Sequence, residues 1–344
     1  MKWLPIFISS ILFFLVGVLF CLWQYELLAS FIGSSPNITK TGYSELQVRQ
    51  HGYTFISPLL ECEASEDMVR TELSGFKTEL QTKIAAVLRD DKDSEVSVYF
   101  RDLNNGPWYG IDENAAFTPA SLLKVPLMIA LFKQAETDSG FLSRTIVFSP
   151  ELLAGSSVPA QTVEPAERLE PSVTYTLDEL ITRMIVYSDN EAMYILLKEI
   201  DEKIYDRVYS DLNLRLPNLS VSENYMTVKD YASFFRILYN ASYLNKDMSE
   251  KALKLLSNTA YTSGLVQGVP GNITVAHKFG ERIYKDTGGT QLHDCGVIYH
   301  PTVPYLLCVM TRGDAIDRES KIIAEISKFV YERVDSNFVE RSVE

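Results

Sequence analysis

The sequence predicts a mixed α/β chain of the α+β kind, an antiparallel sheet flanked by terminal helices with a helical lobe inserted between its strands, behind one N-terminal transmembrane helix. Three observations carry this. Strand-like alternation lies near both ends of the folded part, whereas from about Ala120 to Leu256 apolar residues recur mainly at spacings of three and four. Amphipathic helical patterns open and close the same part, at Asp67 to Leu88 and Ala315 to Val334. Helix and strands first, helices in the middle, strands and a helix last, imply that the two ends share one sheet. Ahead of all this, Leu4 to Trp23 is charge-free and long enough to cross a bilayer.

The apolar stretch from Leu4 to Ile32 is interrupted only by Ser9, Ser10, Gln24, Glu26 and Ser30. Leu, Phe and Trp persist to Trp23 where a signal peptide would offer small residues for cleavage, so an uncleaved anchor is expected. Phe20 precedes Cys21 where a lipoprotein signal carries a small residue, which makes Cys21 an ordinary buried cysteine. Lys2 ahead of the run fits the positive-inside rule. These features lead to the expectation of a single-pass membrane protein with its folded part on the extracytoplasmic side.

The expected organisation is a cytoplasmic tip and anchor over 1–32, a tether over 33–64, a folded domain over 65–336 and a tail over 337–344. Gly33, Ser34, Ser35, Pro36 and Gly42 give the tether its loop composition. The first helix carries Val69, Leu73, Phe76, Leu80, Ile84 and Leu88 on one face. Val96 to Leu103 and Trp108 to Ile111, separated by Asn104-Asn105-Gly106-Pro107, read as a hairpin. Leu122 to Glu136, Leu177 to Ile200 and Val228 to Tyr239 read as helices, and Ile273 to Phe279, Cys295 to Tyr299 and Tyr305 to Met310 as strands. Beyond the anchor lie Cys62, Cys295 and Cys308, an odd number that makes no disulfide framework. A hairpin centred near Thr302 and Val303 would put Val297 opposite Cys308, so all three thiols are expected unpaired.

The 344 residues are 46% apolar and 22% charged, which excludes wholesale disorder. Thirty-two basic against 45 acidic residues leave a charge of -13, an unfavourable balance for nucleic acid. His51, His277, His293 and His300 form no helical H-x-x-x-H pair, and neither a metal nor a cofactor is expected.

Three short motifs fall where the lobe should meet the sheet. Ser121-Leu122-Leu123-Lys124 follows Thr118-Pro119-Ala120 and opens an apolar helix. Residues three apart share a helix face, so a neutral Lys124 amine can take the Ser121 hydroxyl proton. Ser74-Gly75-Phe76-Lys77 has the same spacing, and without partners following in order it reads as a solvated helix face. Ser188-Asp189-Asn190, preceded by Tyr187, sits inside the second helical run. Lys278-Phe279-Gly280 ends a strand, where Lys278 could hold a carboxylate and Gly280 could admit close backbone approach.

In this order the three motifs resemble the signature of class A β-lactamases and penicillin-binding proteins, over roughly Glu79 to Val334. The resemblance implies a β-lactamase-like fold and a serine hydrolase that forms an acyl-enzyme on Ser121 with β-lactams or cell-wall peptides. It makes Lys124 the acylation base and Ser188 the proton donor to the leaving nitrogen. Tyr187, Asn190, Lys278 and Gly280 become substrate contacts, Asn190 toward an acylamide side chain and Lys278 toward a carboxylate. The backbone N–H groups of Ser121 and Glu281 become the oxyanion hole.

Two features depart from that pattern. Phe279 stands where the family has Thr or Ser, which removes a hydroxyl that would help hold the carboxylate. Asn213 to Tyr225 is short for an omega loop, and its one acid, Glu223, reads as a solvated carboxylate and not as a deacylation base. Slow deacylation follows as an expectation. The alternatives are a penicillin-binding-type D,D-carboxypeptidase and a non-catalytic β-lactam or peptidoglycan sensor.

Overall fold

In the computed structural model, residues 47–62, 69–89, 94–104, 108–154, 168–217 and 224–341 are described. The expected anchor, much of the tether, Glu223 and the last three residues lie outside them. Among the described residues no helix is long and apolar enough to cross a membrane.

Helix α1 (Val69–Val87) leads into strands β3 (Glu95–Asp102) and β4 (Trp108–Ile111), after a short pair β1 (Gln47–Arg49) and β2 (Leu59–Cys62). At the other end β9 (Val275–Ile283), β10 (Thr290–Ile298) and β11 (Tyr305–Gly313) precede the final helix α8 (Ile316–Arg341). They form one five-stranded sheet in the order β4-β3-β11-β10-β9, every neighbouring pair antiparallel. The early and the late strands of the folded part therefore share the sheet, as the order of patterns predicts.

The lobe between them comprises α2 (Lys124–Thr137), α3 (Leu177–Val186), α4 (Asn190–Glu199), α5 (Glu202–Asp211), α6 (Val228–Tyr239) and α7 (Lys246–Leu256). Two small ladders brace it, β5 (Ala116–Phe117) with β8 (Met226–Thr227) and β6 (Thr145–Val147) with β7 (Thr174–Thr176). Thr176 caps α3 through a reciprocal capping box with Glu179.

The period of two in the strands divides the core between two faces. Val98, Phe100, Leu307, Val309, Leu292 and Phe279 pack with α1 and α8. Tyr99, Leu306, Cys308, Cys295, Val297 and Ala276 pack with the lobe. Since Ala276 faces the lobe, alternation brings Lys278 and Gly280 to the same side of β9 and sends Phe279 and Glu281 to the other.

Two sequence expectations change here. Cys295 and Cys308 are joined in a disulfide, because Ile298 pairs with Tyr305 and so Cys295 faces Cys308 directly. The connection is wider than a tight turn at Thr302 and Val303. Tyr299 leaves the hairpin to donate to Thr274 O (3.0 Å), and the His300 ring accepts from the N–H groups of Thr302 and Val303. Part of the expected tether is also folded onto the domain. Ser57 N donates to Tyr239 O (2.8 Å), and the N–H groups of Thr54, Phe55 and Ile56 donate to the Glu250 carboxylate at 2.9, 3.0 and 2.9 Å. These partners lie almost 200 residues away, so no local period announces them.

Candidate active site

Ser121 lies in a 3-10 turn, Ala120–Leu123, that runs into α2. Ala120 has φ +48°, a left-handed conformation that costs a non-glycine residue about 1–2 kcal/mol and persists only where its surroundings hold it. Gln291 Oε1 accepts from Thr118 N (2.9 Å), His293 Nε2–H donates to Thr118 O (3.0 Å), and the buried Tyr231 hydroxyl donates to Leu122 O (3.0 Å). Burial pushes the His293 pKa down to about 4. The neutral ring also accepts from Thr311 N at 3.3 Å through Nδ1, which fixes the proton on Nε2. Gly280 completes the bracing: a Cβ there would stand 2.7 Å from Pro119 O and 3.0 Å from Leu122 N, so only glycine lets β9 come this close.

The Lys124 amine is fully buried one helical turn beyond Ser121. It lies 2.8 Å from Ser121 Oγ, 2.6 Å from Ser188 O, 2.6 Å from Asn190 Oδ1 and 3.1 Å from Ser188 Oγ. Burial lowers its pKa from 10.5 to about 7, against the opposing pull of the Asp189 and Glu281 carboxylates. A neutral amine has two N–H donors, and the two shortest contacts are to oxygens that only accept. Its lone pair is then directed at the Ser121 hydroxyl.

Ser188-Asp189-Asn190 does not lie inside one helix, as the sequence pattern suggests, but separates two. Helix α3 ends at Val186, Tyr187 caps it half-buried, and Ser188 turns into the left-handed region at φ +58°. Asp189 then caps α4, accepting from Glu191 N (2.8 Å) and Ala192 N (3.1 Å). This corner aims Ser188 O, Ser188 Oγ and Asn190 Oδ1 at one amine. Asn190 thereby orients Lys124, a task additional to the substrate contact assigned to it above.

Lys278 lies within β9 and not at its end. Its fully buried amine donates to Ser188 Oγ and to Phe279 O, both at 2.9 Å, and stands 4.0 Å from the Phe279 ring centroid. Burial and the neighbouring Lys124 amine hold its pKa well below the ordinary lysine value. Ser188 Oγ thus accepts from Lys278 and lies 3.1 Å from the Lys124 amine. Glu281 follows Gly280 on β9, half-buried. Because β9 is the sheet's edge strand, alternate N–H groups point away from β10.

Ser121, Lys124, Ser188, Asn190 and Lys278 therefore converge, while Lys77 lies on α1 against the opposite face of the sheet. Sequence reasoning missed Gln291, His293 and Tyr231, which hold the turn around Ser121. Alternation along β10 puts Gln291 and His293 on the lobe side with Cys295, and two polar residues on a buried face are the signal that could have found them. The far end of the shortened segment is tied to the same turn, for Asn224 Oδ1 accepts from Gln291 Nε2 (2.9 Å) and Thr118 Oγ1 (3.1 Å).

Residues 79–334 match the model of the β-lactamase enzyme family. A β-lactamase from Bacillus licheniformis is 25% identical over 280 residues, covering 76% of this chain and 86% of that protein. Among solved structures, PBP-A is similar with a TM-score of 0.64 at 20% identity, over 75% of this chain and 97% of that one. A class A β-lactamase from Bacteroides cellulosilyticus gives a TM-score of 0.65 at 18% identity, over 76% and 98%.

Proposed function

The chain belongs to the β-lactamase enzyme family and is a serine β-lactamase-like hydrolase, and from that premise we propose that β-lactams or related cell-wall peptides acylate Ser121, with slow release of the acyl group. The observation that carries this is the Lys124 amine, 2.8 Å from Ser121 Oγ and poised near neutrality. Neutral Lys124 takes the hydroxyl proton as Ser121 Oγ attacks the carbonyl. The oxyanion forms against the Ser121 N–H, at the open end of its turn, and the Glu281 N–H on the edge strand. As the C–N bond breaks, Ser188 gives its proton to the leaving nitrogen and regains one from Lys124, 3.1 Å away, which restores the neutral amine.

Deacylation needs a base that activates water, and the short segment between α5 and β8 supports a reading in which none is placed for it. The penicillin-binding type of behaviour is then favoured over rapid turnover. With excess chromogenic cephalosporin, product should appear in a burst near one equivalent, with an adduct on Ser121 by intact-protein mass spectrometry. Sustained turnover at about 1–10³ s⁻¹ without an adduct would overturn the slow step, and Glu223→Gln would then be the first variant to make. The charge-free run Leu4 to Trp23 supports placement as a single-pass protein of the bacterial cytoplasmic membrane, with the catalytic domain outside. Resistance to carbonate extraction tests this.

A further inference from the structure

Thr118, three residues ahead of Ser121, is bonded through every polar atom it has. Its N–H donates to Gln291 Oε1 (2.9 Å), and its carbonyl accepts from His293 Nε2 (3.0 Å). Its hydroxyl belongs to a closed ring in which the hydrogens are placed by counting. The two N–H groups of the buried Gln291 amide donate to Asn224 Oδ1 (2.9 Å) and to the Tyr284 hydroxyl oxygen (3.1 Å). Tyr284 O–H is then left for Thr118 Oγ1 (2.9 Å), and Thr118 O–H for Asn224 Oδ1 (3.1 Å). No hydrogen on the Gln291 amide or on either hydroxyl is left over.

Three separate pieces of chain meet in this ring, and each is fixed by its own backbone. Tyr284 N donates to Gly289 O (2.9 Å) and Gly288 N to Tyr284 O (2.7 Å), which closes the turn from β9 to β10. Tyr225 N donates to Phe117 O (3.2 Å), so Asn224 stands at the start of the β5–β8 ladder. Beyond Ala120 the chain is held again, Leu122 O by the Tyr231 hydroxyl (3.0 Å) and Ser121 Oγ by the Lys124 amine (2.8 Å). The left-handed Ala120, at φ +48°, lies in the two-residue span between these anchors. Such a conformation persists in a non-glycine residue only where its surroundings impose it. With Thr118 released, Ala120 could relax and carry Ser121 Oγ off the amine.

We propose that Asn224 and Tyr284 are positioning residues for acylation: through Thr118 they hold Ala120 in its left-handed conformation and so keep Ser121 Oγ on the Lys124 amine. This rests on acylation of Ser121 as proposed above. It gives the end of the short segment a task in the first chemical step.

The test follows acylation of the full-length protein by a reporter penicillin over a range of concentrations, which separates the rate at saturation from the apparent dissociation constant. Asn224→Ala and Tyr284→Phe should each lower the saturating rate about tenfold, the order of one hydrogen bond whose partner stays behind, and leave the dissociation constant within about twofold. Asn224 is exposed and Tyr284 half-buried, so neither change opens the core. Asn224→Asp keeps an acceptor for both donors and should lose far less than Asn224→Ala. The deciding background is Ala120→Gly. Glycine takes positive φ without steric cost, so within that background the losses from Asn224→Ala and Tyr284→Phe should shrink to about twofold. A general loosening of the fold would give the same losses in both backgrounds. Equal losses in the two backgrounds, or saturating rates unmoved by both single variants, overturn the inference while leaving acylation intact. Absence of any Ser121 adduct in the unsubstituted protein instead overturns the acyl-transfer reading, and this inference with it.

Discussion

Two buried lysines meet at one serine hydroxyl, and the regions that hold them differ. Lys124, at the start of α2, is ringed by acceptors on the corner between α3 and α4, with Asp189 next to them. Lys278, on β9, has Ser188 Oγ, one carbonyl and an aromatic face. Both amines are desolvated and both pKa values are displaced downward, that of Lys124 to about 7, with carboxylates opposing the shift in each case. Burial offset by acceptors and an anion makes an amine a base that can pick up a proton and give it back.

The largest effect should separate nucleophile from base. Ser121→Ala should abolish covalent labelling by a reporter penicillin, and Lys124→Ala should slow it by about 10²–10⁴-fold. Lys278→Met, which keeps the buried stem, should slow it by about 10- to 100-fold, the loss of one strong hydrogen bond to Ser188. Equal losses at the two lysines would erase the distinction drawn between them.

Next in size is the disulfide. Cys295 is the cross-strand neighbour of Lys278, so replacing Cys295 and Cys308 by Ala should loosen the Lys278 side alone. Closure of the loop between them is worth about 3 kcal/mol, readable from the denaturant midpoint. The pH dependence of labelling should stay where it is.

That pH dependence is the third prediction. Lys124 must be neutral to accept a proton, and its pKa is displaced downward to about 7. The acylation rate should therefore rise with pH, about tenfold per unit below the midpoint, and level off above it. Stability should change in the same direction. Between about 7 and the ordinary lysine range the unfolded chain binds the extra proton, so the folded state gains as pH increases.

A smaller shift should follow from Asp189→Asn, which preserves a good helix cap and removes only the charge that raises Lys124. The midpoint of the pH–rate curve should move down, with thermal stability changed by about 1 kcal/mol at most. Lys77→Ala should leave labelling unchanged. An effect there would mean that the spacing decoy on α1 had been dismissed wrongly.

How much of this was legible in the sequence depends on the range of the interaction concerned. Hydrophobic period placed α1, α6, β3, β4 and β11 to within a few residues, because each period records which face of a single element meets the core. Spacing placed Ser121 with Lys124, since residues three apart on a helix are neighbours whatever surrounds them. The order of the three motifs was enough for the family.

The sequence by itself thus determined the framework and the residues that meet at Ser121, which rest on local geometry or on composition. The tertiary structure alone decided the rest. It set the hairpin register that brings Cys295 to Cys308, the folding of residues near Ile56 onto Glu250, and the clasp of Gln291, His293 and Tyr231 on the turn before Ser121. It also gave the two lysine amines their different surroundings. The reason is physical: register, desolvation and acceptor count are properties of the space between elements, and each is fixed by residues that are distant in the chain and carry no mark of one another.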